Sequence, residues 1–257
     1  MSYKEKVLPI IRQVREFVLP SWGVASIVNE KSIHPADVVT EIDTKVEEFL
    51  KEKLAEVYPD IEFAGEEGGG KRDMERFWLV DPIDGTGHYV RGLPFCTVMI
   101  ALIEHGVVTF SAIYDFINDD MYWAEKGKGA YKNDTPIHVS NRNLQQSYLG
   151  WESKDIEKKE NFSKFVEINK LGNFRSISAG WEFAMIASGK LDARISFNPW
   201  GKDWDFAPGL LLVAEAGGVS TNIGSDKYDY RNTDLIAGNP IVHKELQEMF
   251  KDYYTPQ

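Results

Sequence analysis

Asp81-Pro82-Ile83-Asp84-Gly85-Thr86 sets two carboxylates three residues apart in a turn shaped by proline and glycine. Pro82 fixes φ and removes a donor, and Gly85 permits close backbone approach. Carboxylates this near repel unless something positive lies between them. A pair of cations meets that need, with the Ile83 carbonyl as a third oxygen donor. A simple Asx turn leading into a helix fits the same residues without metal. Upstream, Gly65-Glu66-Glu67-Gly68-Gly69-Gly70 places two more acids among glycines, where an exposed turn is the alternative. Gly65, Gly70 and Lys71 fit the opening of a nucleotide P-loop, but Arg72 stands where Ser or Thr is required, and Glu66 and Glu67 repel a phosphate. That reading is rejected. Asp37-Val38-Val39-Thr40-Glu41-Ile42-Asp43 alternates polar with apolar, and Asp43 or Thr44 fits a helix N-cap. Trp204-Asp205-Phe206-Ala207-Pro208-Gly209 opens a helix with an acid in its first turn, which also suits a dipole-matched surface residue.

The elements that must carry these residues follow from periodicity. Val7, Ile10, Ile11, Val14, Phe17 and Val18 recur at helical spacing, with Pro20 ending or kinking that helix. Asn29 to Pro35 is polar and reads as a loop. A second helix runs from about Asp43 to Tyr58, closed by Pro59-Asp60. Ile61 to Ala64 reads as a short strand, and Phe77 to Val80 as a buried strand that delivers Asp81. Apolar runs at 96–103, 107–114 and 121–124, separated by turn residues, read as an antiparallel meander. After Asn141, short strands at 148–150 and 192–195 alternate with helices near 156–170, 180–188, 203–216 and 241–252. The expected organisation is an α+β half, residues 1–141, and an α/β half, residues 142–257, packed into one body.

Composition narrows the function. The 257 residues are 43% apolar and 27% charged, as in globular proteins, which excludes a disordered or collagen-like chain. Lys and Arg number 29 against 40 Asp and Glu, a net charge of −11 that opposes a nucleic-acid polymer or an anionic membrane as partner. The acid excess serves solubility or holds cations. Cys96 is the sole cysteine, so no intramolecular disulfide forms, which fits a reducing compartment. Its apolar neighbours mark it as a small buried hydrophobe. No apolar run approaches the roughly 20 residues of a membrane span, and Lys4, Glu5 and Lys6 break a signal core. A cytoplasmic protein is expected. The histidines at 34, 88, 105, 138 and 243 are scattered, against a His-ligated metal.

Taken together, the four acidic segments resemble the inositol-monophosphatase-like family of metal-dependent sugar and cyclitol phosphatases. Asp81 to Thr86 matches its first signature; Trp204-Asp205, with Glu215-Ala216-Gly217-Gly218 beyond, matches its second; the 37–43 and 65–67 segments match its two upstream elements, in order. The resemblance implies a layered αβαβα sandwich of the inositol monophosphatase/fructose-1,6-bisphosphatase type. It implies that Asp81 bridges two Mg²⁺ ions, that Glu66 and the Ile83 carbonyl complete one site, and that Asp84 and Asp205 complete the other. A third, looser ion beside Glu66 follows by analogy. Hard oxygen donors without His or Cys suit Mg²⁺ and oppose zinc independently of the resemblance.

By the same resemblance, Thr86 and Asp43 flank the attacking water, Glu66 joins them in catalysis, and Asp84, Gly85, Thr86, Gly87 and Asp205 meet the phosphate. The expected reaction is hydrolysis of a small polyol or sugar phosphate monoester by metal-activated water. Inositol phosphate is the family default; histidinol phosphate, fructose 1,6-bisphosphate and nucleotide 3′-phosphates are alternatives. A homodimer is the family expectation. Lys31 is a candidate phosphate or third-ion contact, against a solvated loop lysine; Trp181, Trp200 and Trp204 are candidate pocket walls, against core packing. Three features depart from the family: Gly87-His88 replaces Thr-Asn, residues 196–203 lack the glutamate that meets inositol hydroxyls, and Pro208-Gly209 replaces a small-residue pair, altering the start of that helix. A non-catalytic phosphometabolite-binding protein is the rival of another class, but every expected ligand and water activator is present. A two-metal nuclease conflicts with the charge and lacks a basic stripe.

Overall fold

The computed structural model describes residues 3–30, 38–154, 173–175 and 177–250. Lys31, Asp37 and the helix expected near 156–170 lie outside the described residues. Helices α1 (Tyr3–Gln13) and α2 (Arg15–Ser21) are separated at Val14, whose N–H bonds to Ile11 O in a tighter turn. The break is therefore at Val14, and Pro20 sits within α2, one residue before its end, where it costs the helix one i→i−4 bond and does not break it. Strands β1 (Ile27–Glu30) and β2 (Val38–Thr40) pair antiparallel, so Asn29 and Glu30 belong to a strand and not to the expected loop. Helix α3 (Glu41–Val57) turns Asp43, Val46, Glu47, Leu50 and Leu54 inward at 3.6-residue spacing.

The first sheet has seven strands in sequence order: β3 (Glu62–Gly65), β4 (Arg76–Asp84), β5 (Thr97–Glu104), β6 (Val107–Asp115), β7 (Asp120–Glu125), β8 (Ala130–Lys132) and β9 (Thr135–Pro136). Only β3 and β4 run parallel. A four-residue helix α4 (Thr86–Tyr89) follows β4. The second sheet contains β10 (Tyr148–Glu152), β11 (Asn173–Arg175), β12 (Ala193–Ser196), β13 (Val219–Asn222) and β14 (Leu235–Gly238), in the order β11-β10-β12-β14-β13. Helices α5 (Ala179–Ala187) and α6 (Asp203–Glu215) lie between the sheets, and α7 (Pro240–Phe250) covers the outer face of the second.

Alternation along β4 shows why the layers form. Phe77 and Leu79 pack toward Phe183, Phe206 and Leu210 of α5 and α6, while Trp78 and Val80 pack toward Ile11, Val46 and Leu50 of α1 and α3. A strand apolar on both faces needs cover on both, and the result is the expected αβαβα stack. Helix α6 runs unbroken through Pro208. Gly209 is needed there, because a Cβ would lie 2.0 Å from the Phe183 ring.

One buried group carries a pH prediction. His243 of α7 faces Thr221, Nε2 to Oγ1 2.9 Å, and burial pushes the imidazole down to about 4. In the unfolded chain it titrates near ~6.5, so that state binds the proton more readily between the two values. Stability is thus lost as pH falls through this window. In urea denaturation at pH 7 and pH 4.5, His243→Gln is expected to narrow the difference between the two conditions by on the order of 2 kcal/mol.

Candidate metal centre

Asp81 and Asp84 are an odd number of residues apart, so a regular strand would point them to opposite faces. The register resolves this. Asp81 pairs with Met99 and Asp84 with Thr97, so three steps of β4 oppose two of β5. This bulge at Pro82-Ile83 restores parity and brings both carboxylates to the face covered by α5 and α6. Asp205, in the first turn of α6, reaches the same place. Ligand atoms of Asp81, Asp84 and Asp205 all lie within 4.8 Å of one another.

Asp81 is 1% exposed, and neither carboxylate oxygen has a hydrogen-bond partner among the described residues. Burial, then the charges of Glu66, Asp205 and Asp84, hold its carboxyl well above the usual range. Asp205 is raised in the same way, by burial and then by Glu66 and Asp84. Its Oδ2 accepts the Lys202 N–H at 2.6 Å, which fixes the side chain across the helix start. Burial also raises Asp84, but Oδ2 accepts from Gly180 N at 2.8 Å and Thr97 Oγ1 at 3.3 Å. An unpartnered buried carboxylate among like charges fits a cation, and an all-oxygen donor set fits a hard one. Glu66 lies beside the triad, not within it: its charge acts on Asp81 and Asp205.

The Gly180 amide depends on the absence of a side chain. A Cβ there would lie 2.2 Å from Thr97 Oγ1, 2.7 Å from Met99 Sδ and 3.0 Å from Asp84 Oδ2. Gly180→Ala is therefore expected to displace Asp84, weakening binding of a divalent cation about tenfold and destabilising the fold by about 1–3 kcal/mol. Calorimetric titration with the cation alongside thermal melts checks both.

Asp43 is not the N-cap of α3. Thr40 is: its Oγ1 accepts Ile42 N, and Asp43, three residues on, returns the contact as a capping box. Asp43 Oδ2 accepts Thr40 N at 2.8 Å and Thr40 Oγ1 at 2.6 Å, leaving Oδ1 to face Thr86 Oγ1 at 2.9 Å. Thr86 Oγ1 is also 2.8 Å from Ile83 O, so its single proton has two acceptors. Burial raises the Asp43 carboxyl, and the Thr40 and Thr86 hydrogen bonds oppose that rise. Gly85 stands at φ +83° before α4, where a Cβ would meet Phe95 O at 2.6 Å. The first-turn amides of Thr86 and Gly87 have no acceptor within so short a helix.

Several supporting residues escaped the sequence reading. Glu47, one turn beyond Asp43 on the buried face of α3, accepts Glu67 N at 2.9 Å and Gly68 N at 2.6 Å. The glycine-rich turn thus does cradle an anion, a carboxylate of the chain itself; a Cβ at Gly65 would lie 2.2 Å from Glu47 Cδ. The i, i+4 spacing from Asp43 is the signal that could have found it. Thr97, Gly180 and Arg194 leave none, since they act from a neighbouring strand, a helix of the next layer and the second sheet. Arg72 pairs with Asp203 at 3.0 Å and covers the Trp204 ring at 4.3 Å, so Trp204 is packed. Trp181 meets Phe95 edge-on, and Trp200 is exposed. Cys96 is buried, and burial pushes its thiol far up.

The model of the inositol monophosphatase family matches residues 5–253. A Thermotoga maritima protein named fructose-1,6-bisphosphatase/inositol-1-monophosphatase is 30% identical over 254 residues, covering 95% of this chain and 94% of its own. A Neisseria meningitidis protein named putative Nus factor SuhB is 32% identical over 249 residues, 93% of each chain. The crystal structure of Staphylococcus aureus inositol monophosphatase II with inositol monophosphate bound aligns at a TM-score of 0.81 and 25% identity, covering 97% of this chain and 94% of that one. Fold, acid cluster and relatives together define a phosphoric monoester hydrolase of a metal-dependent class. The chain belongs to the inositol monophosphatase family.

Proposed function

We propose that the chain hydrolyses a small polyol or sugar phosphate monoester, inositol phosphate first among them, using two Mg²⁺ ions. Asp81 carries this reading: a buried carboxylate with both oxygens unpartnered among the described residues and three further acids around it. Asp81 would be shared by both ions, Glu66 and the Ile83 carbonyl would complete one set, and Asp84 and Asp205 the other. Bound there, the ions would draw charge from the phosphoryl oxygens and acidify water. The chain's own residues do the rest. Thr86 Oγ1 takes a proton from the attacking water as its own proton passes to Asp43 Oδ1, which the Thr40 contacts keep free for that purpose. The amides of Gly85, Thr86 and Gly87 hold the phosphate, with Asp84 and Asp205 on its other side.

The name of the Thermotoga relative and the ligand of the Staphylococcus protein support polyol and sugar phosphates. Ser196 is buried and bonded to Arg194 Nε at 3.1 Å, and Asp203 is paired with Arg72, so the 196–203 stretch carries no free carboxylate for polyol hydroxyls. That keeps histidinol phosphate, fructose 1,6-bisphosphate and nucleotide 3′-phosphates in the panel. A cytoplasmic homodimer, each chain made of an α+β half, 1–141, and an α/β half, 142–257, completes the reading. Exposed apolar side chains at Val24, Ile27, Val28 and Leu93, the last held beside Trp22 by its Nε1 bond to Leu93 O, support a self-contact.

The deciding experiment is phosphate release from these monoesters with Mg²⁺ and with EDTA. Turnover in Mg²⁺ that EDTA abolishes is expected. Silence on every ester at every metal level overturns the reading.

A further inference from the structure

Arg194 of β12 is 1% exposed, and all three nitrogens of its guanidinium are engaged. One terminal nitrogen donates to Glu182 Oε2, the other to Glu152 Oε2, and Nε donates to Ser196 Oγ. Phe183 and Phe206 flank it, their ring centres 5.7 and 5.6 Å from Cζ. Each glutamate then holds backbone. Glu182 Oε1 accepts Ile177 N at 2.7 Å, just before the turn whose Gly180 amide supports Asp84. Glu152 Oε1 accepts Trp200 N at 2.8 Å and Gly201 N at 2.9 Å, in the loop whose next amide, Lys202 N, supports Asp205. The same loop is fixed at its other end by Asp234, which accepts Asn198 N.

Two acids of the metal centre are thus oriented by two segments far apart in sequence, and Arg194 is the group that joins those segments. Apolar side chains of similar volume would fill this space without desolvating three charges. What they could not do is fix the two segments at one spacing through a planar fork of donors. Resting on the phosphatase reading above, we propose that Arg194 is a positioning residue: it locks the 197–202 loop to the start of α5, and so sets the separation of Asp205 and Asp84.

The test uses Arg194→Lys, Arg194→Met and the double variant Arg194→Met/Glu182→Gln, which also removes the fully buried carboxylate and leaves only the more exposed one, Glu152. Mn²⁺ affinity of the metal-free protein is measured by calorimetry, with thermal melts and with kcat and KM on the best monoester. The double variant is expected to melt within a few degrees of the parent, to bind Mn²⁺ at least tenfold more weakly and to lose at least tenfold in kcat/KM. Arg194→Lys, which keeps the charge without the fork, should fall between. If Arg194→Met fails to fold, the other two variants decide. Mn²⁺ affinity and turnover equal to the parent in the folded variants, whatever the melting point, overturn the proposal. A parent that binds Mn²⁺ but hydrolyses nothing defeats the phosphatase reading, while the calorimetry still judges Arg194.

Discussion

Asp81→Asn is expected to lower phosphatase turnover by at least about 10³-fold and yet to raise the melting temperature of the metal-free protein. The loss follows from the place of Asp81 at the centre of the acid cluster, where ligand atoms of Asp84 and Asp205 lie within 4.8 Å. A neutral amide there offers weaker donation and no charge to a hard cation. The gain follows from burial. Both oxygens are without hydrogen-bond partners among the described residues, and three neighbouring acids oppose ionisation. Removing such a group recovers on the order of 1–3 kcal/mol, and each kcal/mol is worth roughly 2–4 °C at this chain length. Mg²⁺ should raise the melting point of the parent, as a ligand of the folded state alone does. The variant should show no such rise. A variant that still responds fully to Mg²⁺ would remove Asp81 from the ligand set.

Thr86→Val should cut kcat by about 10²- to 10³-fold, within the range of a lost acid–base group, with Mn²⁺ affinity held within a few-fold. The branched shape is kept; only the hydroxyl between Asp43 Oδ1 and Ile83 O is lost. Thr86→Ser retains the hydroxyl and should retain most activity. Asp43→Asn should match Thr86→Val, and the double variant should be scarcely worse than either, because the two act as one unit. Additive losses in single-turnover kinetics would show two separate roles. A fall in Mn²⁺ affinity equal to the fall in kcat would make Thr86 a support for Ile83 and not a proton carrier.

The four acidic segments are legible in the sequence, in order, and their resemblance to the family is what joins Asp81 and Asp84 to Glu66 and Asp205; spacing alone leaves an Asx turn at 81–86 equally open. Other parts depend on contacts that leave no local trace. The spacing of Asp81 and Asp84 taken alone places them on opposite faces, and the cross-strand register with Met99 and Thr97 corrects that. Asp43 carries the stronger side-chain signal for a cap, yet Thr40 takes that place and the capping box uses both. Asn29 and Glu30 read as loop because they are polar, and a strand as short as β1 gains little from alternation. Arg194 sits between two glutamates distant in sequence, 42 and 12 residues away, and no periodicity could have foretold that meeting.

The extra residue in β4 has a consequence for how this stretch can vary. Exchanging Pro82 for another amino acid alters stiffness but keeps the count between the two aspartates. Deleting a single position at 82 or 83 would remove the bulge and leave two steps of β4 against two of β5, a regular ladder that still turns both carboxylates toward α5 and α6. What the extra residue sets is therefore the spacing of the two aspartates and the freedom of the backbone between them from strand pairing, not the face they share.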